Sequence, residues 1–517
     1  MTLAEYLDAA GLTPAAFARE LGVSRAALSR YLSGARRPRA AIAQRIAELT
    51  GGAVLFGPAG PLVGAALPAR PAEEAQPSVD LLLFDLNGRP RGKRVPATQF
   101  GRIAAEGAHL PASLYGLDAG GGDVPAAGLA GTVGDPDRPA FPLHDPPLPQ
   151  TWRPKDCGLA LMQMREEDGS PYAGDPRSVL QRQEAALAAL GYRAVCACEL
   201  EFAIVARERD AWGRPQPVLR PDGEPSAPGA SADPRVFDMR DLAGWDGLLA
   251  GIDAACRAMD IPVAETMMEY GPGQFEINLR HVEGAVAAAD QAMLFKTCVE
   301  GVAAAAGLQA TFMAKPFAAR PGNGLHVHLS LIDRDGGNVF RLDDGRPAGE
   351  LLHALGGLIA AMPESMALFA PNANSYRRLD PYWYGATRAN WGLDNRTAAL
   401  RVPASALEAT RIEHRVSGAD ANPYLVLAAL LASVRAGLER GLRPPPAAEG
   451  NAPTLDGPAG GEPLPLDWAS ALDAFETGGL LRPALGDPFA GLFLAVKREE
   501  EVSFRREITP LEYRWYL

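Results

Sequence analysis

CACELEF, Cys196 to Phe202, is the stretch on which the reading of this chain turns. Side chains along a β-strand alternate between its two faces. As a strand, the stretch puts Glu199 and Glu201 on one face with Ala197, and Cys196, Cys198, Leu200 and Phe202 on the other. Two carboxylates about 7 Å apart on one face repel each other unless a cation lies between or beside them. A lone Glu-x-Glu pair is more often a solvated face than a metal site, so its weight depends on what accompanies it.

Three further segments accompany it. EYGPGQFEIN sets Glu269 and Glu276 around a Gly-Pro-Gly turn, and GNGLHVHLSL, read as strand, places His326, His328 and Ser330 on one face. RIEHRVSGADANPY alternates Arg411, Glu413 and Arg415 onto one side. Together the four segments supply five carboxylates and a histidine, a set suited to hard divalent cations such as magnesium or manganese. Arginines in NSYRRLD, NRTAALRVP and RIEHR are interleaved with them. Acids that can hold metals beside arginines that can hold phosphates are what phosphoryl transfer from a nucleotide requires. The sequence has no GxxxxGK[ST], so a P-loop is not the device.

At 517 residues, with 47% hydrophobic and 22% charged content, the chain has room for two or three domains with substantial cores. No run approaches the roughly 18 apolar residues of a membrane span, and the N-terminus lacks the basic-then-apolar pattern of a secretion signal, which predicts a cytoplasmic protein with no membrane partner. Cys157, Cys196, Cys198, Cys256 and Cys298 show no CxxC spacing and read as reduced, buried thiols. The net charge of −12 is unevenly spread: seven arginines against four acids make residues 1–50 net +3, which leaves −15 on the remainder. That split predicts different partners for the two parts.

Within LTPAAFARELGVSRAALSRYLSG, Thr13 and Ser24 are positioned to cap two short helices, with Pro14 opening the first. Phe17, Leu21, Val23, Leu28 and Leu32 would share a small core. The pattern resembles the helix-turn-helix of phage-repressor-type DNA-binding domains, which implies that Ser24, Arg25, Ala27, Ser29 and Arg30 face the major groove. A helical bundle used only for protein contact is the alternative. Residues 51–78 read as a Gly/Ala/Pro-rich linker, and VDLLLFDLNGRPRGKRVP as a hairpin turning at Asn87-Gly88. Short strands and Gly/Pro loops follow, then strands alternating with helices from Ser178, and a Pro/Gly-rich insertion at 443–465 reads as a surface loop. The expected domains are therefore 1–50 (helix-turn-helix), 51–78 (linker), 79–175 (β-rich) and 176–517.

From Val79 to Leu517 the motifs ExEF, ExGPGQxE, GxGxHxHxS, NSYxR, NRxxxxR and RxExRxxxxxANPY occur in the order of the glutamine synthetase superfamily, which the chain closely resembles. The resemblance implies an α+β fold in which a small β-grasp-like domain precedes a large domain with antiparallel active-site strands, assembled as a dodecamer of two hexameric rings. It implies that the ATP γ-phosphate passes to the side-chain carboxylate of glutamate and that an amine then displaces phosphate. Two magnesium or manganese ions would sit in each site, one on Glu201, Glu269 and Glu276, the other on Glu199, His326 and Glu413. Arg378 and Arg415 match binders of the glutamate carboxylate, Arg396 and Arg401 the groups that stabilise the transferring phosphoryl, and Arg411, His328 and Ser330 contacts to ATP. Gly324 matches a loop whose backbone approaches glutamate.

Three departures bear on the amine. Ammonium-using members carry an acid six positions after the arginine matching Arg378; here Tyr384 stands there, inside PYWYG (Pro381–Gly385). They also carry an Asp in a DGSS loop, where this chain has LPASLYG, and Pro321 replaces an Asn that contacts glutamate. Tyr382, Trp383 and Tyr384 offer ring faces for an alkyl chain and for a second ammonium. This is similar to the branch that glutamylates putrescine, spermidine and related monoamines. The alternatives are a glutamine synthetase using ammonium, and a ligand-sensing regulator that acts on DNA through its N-terminal domain.

Overall fold

The computed structural model divides into two compact units, Met1–Gln76 and Pro77–Leu517. It describes residues 77–517 apart from 131–133, 155, 219–235 and 272, and in the first unit residues 3, 6, 7, 10, 12–23, 28, 31, 32, 38, 40–50 and 54.

In the first unit, helix α1 (Pro14–Leu21) starts at Thr13, whose hydroxyl accepts from Ala16 N at 3.3 Å, and stops at Gly22, which takes the left-handed conformation (φ 77°) that a residue without Cβ adopts freely. Helix α2 spans Ala40–Leu49. Phe17, Leu21 and Leu28 are buried with Leu3, Leu7, Ile46 and Val54, and Val23 and Leu32 pack against them. Ser24, Arg25, Ala27, Ser29 and Arg30 lie outside the described residues, as does the expected linker apart from Val54, Pro77 and Ser78.

The second unit opens on the expected hairpin: β1 (Ser78–Phe84) and β2 (Pro90–Pro96) pair antiparallel. Asp85 stabilises the turn by accepting from Asn87 N and Arg89 N, each at 2.9 Å, and Gly88 has φ 68°. With β3 (Ala108–Pro111), β4 (Asp137–Pro142) and β5 (Cys157–Met164) it forms a sheet of order β2-β1-β5-β4-β3, in which β1 and β5 run parallel. The turn is also tied to the far end of the chain. Asn87 Nδ2 donates to Glu500 Oε1 at 2.7 Å, and the buried Lys497 ammonium bridges Glu500 (2.9 Å) and Asn87 Oδ1. Lys497 and Glu500 belong to a helix spanning Asp487–Arg506.

The larger sheet is built on the 17-residue strand β6 (Arg193–Arg209). Its main path also contains β7 (Val263–Met268), β8 (Gln274–Leu279), β9 (Leu325–Ile332), β10 (Trp391–Leu393), β11 (Leu400–Val402) and β12 (Ile412–His414), in the order β10-β11-β12-β9-β6-β8-β7. All neighbours on this path are antiparallel except β10 and β11. The alternation in CACELEF sets the two faces. Phe202 turns into an aromatic cluster with Phe275 of β8, Phe312 and Phe295 of helix α3 (Ala285–Ala305), leaving the Glu199/Glu201 face clear of core. Helix α4 (Gly349–Phe369) is long and apolar enough to cross a membrane, but most of it is buried in the core, where it packs on α5 (Pro423–Arg440). All five cysteines are free and buried.

The insertion 443–465 is the expected surface loop, most of it exposed or half-buried, but it is pinned to the body at a few points. Ala448 and Ala452 are buried, Ala448 N donates to Trp391 O at 2.7 Å, and Pro445 O accepts from Trp391 Nε1 at 2.8 Å. Pro-rich composition predicts absence of regular structure, and says little about burial.

Candidate active site

The strand register assembles the polar residues into one row. Across β6, Glu201 faces Glu276 of β8 and Glu199 faces His326 of β9; beyond β9, His328 faces Glu413 of β12, which faces Arg401 of β11. Segments up to about 200 residues apart in sequence thus meet on one face of the sheet. Ligand atoms of Glu199, His326 and Glu413 lie within 4.8 Å of one another, and so do those of Glu201, Glu276 and His326. Glu269 follows β7 and completes the turn into β8 by donating its N–H to Gln274 O at 3.0 Å.

The two clusters differ electrically. Burial pushes the Glu276 carboxyl up to about 9, aided by the charges of Glu201, Glu199 and Glu269, and pushes Glu269 up to about 7, aided by Glu201. Burial also disfavours the Glu199 and Glu413 carboxylates, but their surroundings outweigh it. Hydrogen bonds and charge from His326 and His328 hold Glu199 well below the usual range, and Arg415 with the two histidines brings Glu413 down to about 2. Crowded carboxylate oxygens around Glu276 and Glu199, with the His326 imidazole between them, fit hard divalent ions.

Arg411 Nε donates to His328 Nδ1 at 3.0 Å, so in the neutral ring the proton sits on Nε2, which donates to Glu199 Oε1 at 2.7 Å. Ser330 is buried two residues further along the same face. Glu413 accepts from Arg401 Nη1 at 2.8 Å and from Arg415 Nη1, while Arg401 also pairs with Asp394 at 2.5 Å. Arg396, exposed, and Arg401 line a cavity of about 670 Å³ with Asn395 and residues 447–450 of the insertion. A groove of about 850 Å³ between Ser170 and Pro488 contains none of these residues.

Arg378, on a short 3-10 turn (Ser375–Arg378), is buried and donates to the carbonyls of Val416 (2.9 Å) and Arg415 (3.2 Å). Gly324 donates its N–H to Glu201 Oε2 at 2.9 Å. A Cβ at Gly324 would meet Arg378 Nη2 at 3.0 Å, His326 Nε2 at 3.1 Å and Glu201 Oε1 at 3.3 Å, so any side chain there would crowd all three.

Within PYWYG, Pro381–Trp383 forms a second 3-10 turn that begins three residues after Arg378. Asp380 shapes it: its side chain accepts from Tyr382 N at 3.0 Å, and its carbonyl accepts from Trp383 N (3.0 Å) and Gly385 N (2.9 Å). Tyr384 takes the left-handed conformation (φ 58°), and the Tyr382 and Tyr384 side chains are 77% and 59% exposed. These two rings are therefore not core packing. Trp383 is half-buried, with Tyr382 edge-on at 4.7 Å.

Several polar residues in and around these segments had no role in the sequence reading. Gln274 is buried, bonding Gly271 N (2.7 Å), Gly322 O (2.9 Å) and Asn323 Oδ1 (3.0 Å), and thereby joins the Gly-Pro-Gly turn to the loop before His326. Asp420 accepts from Asn372 Nδ2 and Ser375 Oγ, each at 2.7 Å, which anchors the turn bearing Arg378. In LPASLYG, Ser113 donates through N (3.3 Å) and Oγ (2.8 Å) to Asp135. The signal for Gln274 and Asp420 lay inside the quoted motifs; Asp135 and Asp394 had none.

Residues 173–516 match the family model described as glutamine synthetase, catalytic domain, and residues 3–54 match the helix-turn-helix model. The chain is 39% identical over 442 residues to gamma-glutamylputrescine synthetase PuuA of Escherichia coli (strain K12), covering 85% of this chain and 91% of that protein. It is 33% identical to gamma-glutamylethanolamide synthetase GlnA4 of Streptomyces coelicolor, covering 84% and 92%. The solved structure titled GmaS/ADP complex superposes with a TM-score of 0.71 at 28% identity, covering 86% of this chain and 97% of that one. A mixed α+β body of this match, preceded by a helix-turn-helix domain, means that the chain belongs to the glutamine synthetase family.

Proposed function

We propose that this protein is an ATP-dependent ligase that joins glutamate, through its γ-carboxyl, to an alkyl amine such as putrescine, spermidine or a monoamine. The observation that carries the choice of amine is the exposed aromatic turn at 381–384, beside buried Arg378, where ammonium-using relatives are expected to carry an acid. The two relatives named for glutamyl amides of putrescine and ethanolamine support it.

In the mechanism, Arg378 and Arg415 hold glutamate by its carboxylate, with the Gly324 backbone alongside. Arg411, His328 and Ser330 engage the nucleotide. Arg396 and Arg401, at the cavity between β10, β11 and the insertion, meet the charge that develops on the phosphoryl group as it passes to the γ-carboxylate. Glu201, Glu269 and Glu276 would hold one magnesium or manganese ion and Glu199, His326 and Glu413 the second. When bound, such ions neutralise phosphate charge and align the reacting oxygens. The amine, with an ordinary pKa of about 10, must shed a proton before its nitrogen forms the C–N bond and phosphate leaves. Tyr382, Trp383 and Tyr384 wall its alkyl chain.

The domain limits 1–50, 51–78, 79–175 and 176–517, a β-grasp-like character for the small sheet, and assembly as a dodecamer of two hexameric rings are part of the same reading. So is DNA binding through Ser24, Arg25, Ala27, Ser29 and Arg30. Phosphate release from ATP and glutamate across ammonium, ethanolamine, putrescine, cadaverine, spermidine and spermine tests the activity. Ammonium turnover as fast as the best alkyl amine would return the chain to glutamine synthesis, and no turnover with any amine would favour a sensor.

A further inference from the structure

Lys315 is buried, and among the described residues its ammonium makes no hydrogen bond. Its Nζ lies 5.8 Å from the centroid of the Trp383 ring, within range of a cation–π contact. Burial lowers its pKa, the Asp380 carboxylate raises it, and the Arg378 charge lowers it again, so the two charged groups acting on the ammonium come from the two ends of the segment between Arg378 and the aromatic turn.

The Lys315 backbone is held just as specifically. Lys315 N donates to Asn374 Oδ1 at 2.8 Å, and Asn374 Nδ2 donates back to Lys315 O at 3.0 Å. Asn374 immediately precedes the 3-10 turn that carries Arg378. The packing between the two segments is tight: a Cβ at Gly322 would meet Ala314 O at 2.2 Å and Arg378 Cγ at 2.9 Å. Lys315 therefore touches the arginine's turn through its main chain and the aromatic turn through its charge. The stem of Lys315 is buried while its ammonium reaches solvent at the Trp383 ring and, among the described residues, bonds no carboxylate, so the charge is not used in an ion pair, which points to a task at the aromatic turn.

We propose that Lys315 is a positioning residue of the amine pocket: its ammonium on Trp383 and its main chain on Asn374 set the spacing between the aromatic turn and Arg378, and so the affinity for the amine. This rests on the reading of that turn as the amine wall. It also means that one face of Trp383 is already occupied, so the distal ammonium of a diamine is left to Tyr382 and Tyr384.

Steady-state kinetics with putrescine and glutamate as probes test it in the full-length protein. Lys315→Met is expected to raise the putrescine KM about twofold to fivefold, the effect of losing one cation–π contact, with the glutamate KM unchanged and Lys315→Arg restoring most of the loss. Trp383→Leu should raise the putrescine KM as well, and adding Lys315→Met to it should change nothing further. If Lys315→Met does not fold, Lys315→Gln against Lys315→Arg makes the same comparison. An unchanged putrescine KM, or an equal rise in the glutamate KM, overturns the role of Lys315. If Trp383→Leu moves the putrescine KM when the lysine variants do not, only that role falls; if neither moves it, the amine-wall reading falls too.

Discussion

The Gly324 N–H points at the Glu201 carboxylate, 2.9 Å from Oε2, in a space that also holds the Arg378 guanidinium and the His326 imidazole. Three groups proposed for glutamate and metal binding are thus spaced around one missing side chain. Gly324→Ala would push on all three at 3.0 to 3.3 Å. The expected result is a folded protein whose kcat/KM for glutamate falls about 100-fold, since small misplacements of reacting groups cost that much. Wild-type kinetics at normal thermal stability would speak against the assignment.

Metal binding should release protons. With Glu276 pushed up to about 9 and Glu269 to about 7, their cluster holds protons near neutrality that a divalent cation must expel. Affinity for magnesium or manganese is expected to rise with pH between about 6 and 9. Calorimetry in buffers of different ionisation enthalpy at pH 7 should detect the released protons; pH-independent affinity would count against the cluster.

Tyr384→Glu restores an acid at the position where it is expected in ammonium-using relatives. Ammonium-dependent phosphate release should appear, and putrescine should lose its advantage. Because Tyr384 has φ 58°, Tyr384→Gly keeps the turn while removing the ring. It is expected to weaken putrescine binding without conferring use of ammonium. An unchanged amine preference in Tyr384→Glu would place selectivity elsewhere.

Asp175 caps the helix Pro176–Ala189, accepting from Arg177 N at 3.0 Å, and burial pushes its carboxyl up to about 7 despite that bond and the Arg177 charge. The folded protein therefore keeps a proton that the unfolded chain, with an aspartate pKa near 3.9, has already released. This contribution to stability falls as pH rises from about 4 to about 7, by at most about 1.4 kcal/mol per unit. Asp175→Asn keeps an acceptor at the cap and cannot ionise, so thermal stability should fall less steeply between pH 5 and 7. Identical slopes in the two proteins would contradict the shift.

Arg25→Ala with Arg30→Ala should abolish a gel shift on the protein's own upstream DNA and leave ligase kinetics intact, since Met1–Gln76 and Pro77–Leu517 are separate compact units. A retained shift would remove these residues from the DNA contact.

What the sequence disclosed follows from how far each interaction reaches. Alternation along a strand is local, so CACELEF and LHVHLS revealed which side chains share a face. Register is not local: that Glu199 faces His326 and Glu201 faces Glu276 depends on pairings across 127 and 75 residues. Asp135 against Ser113 and Lys315 on Trp383 lie in segments without periodic pattern, where position is set by tertiary packing alone. The insertion at 443–465 shows the same limit, since Pro445 O and Ala448 N are bonded to Trp391, on a strand it does not adjoin in sequence.

The hairpin turn at Asn87 finds its side-chain partners at Lys497 and Glu500, more than 400 residues later. During synthesis the β1–β2 turn thus leaves the ribosome long before the helix that completes it. Until then Asn87 is satisfied by water, and Lys497, once made, has nowhere to bury its charge unless the hairpin has waited in place. The unit Pro77–Leu517 closes its β1–β2 turn with the helix Asp487–Arg506, so loss of that helix would be felt at the hairpin, and in a nascent chain the turn stays incomplete until that helix has been made.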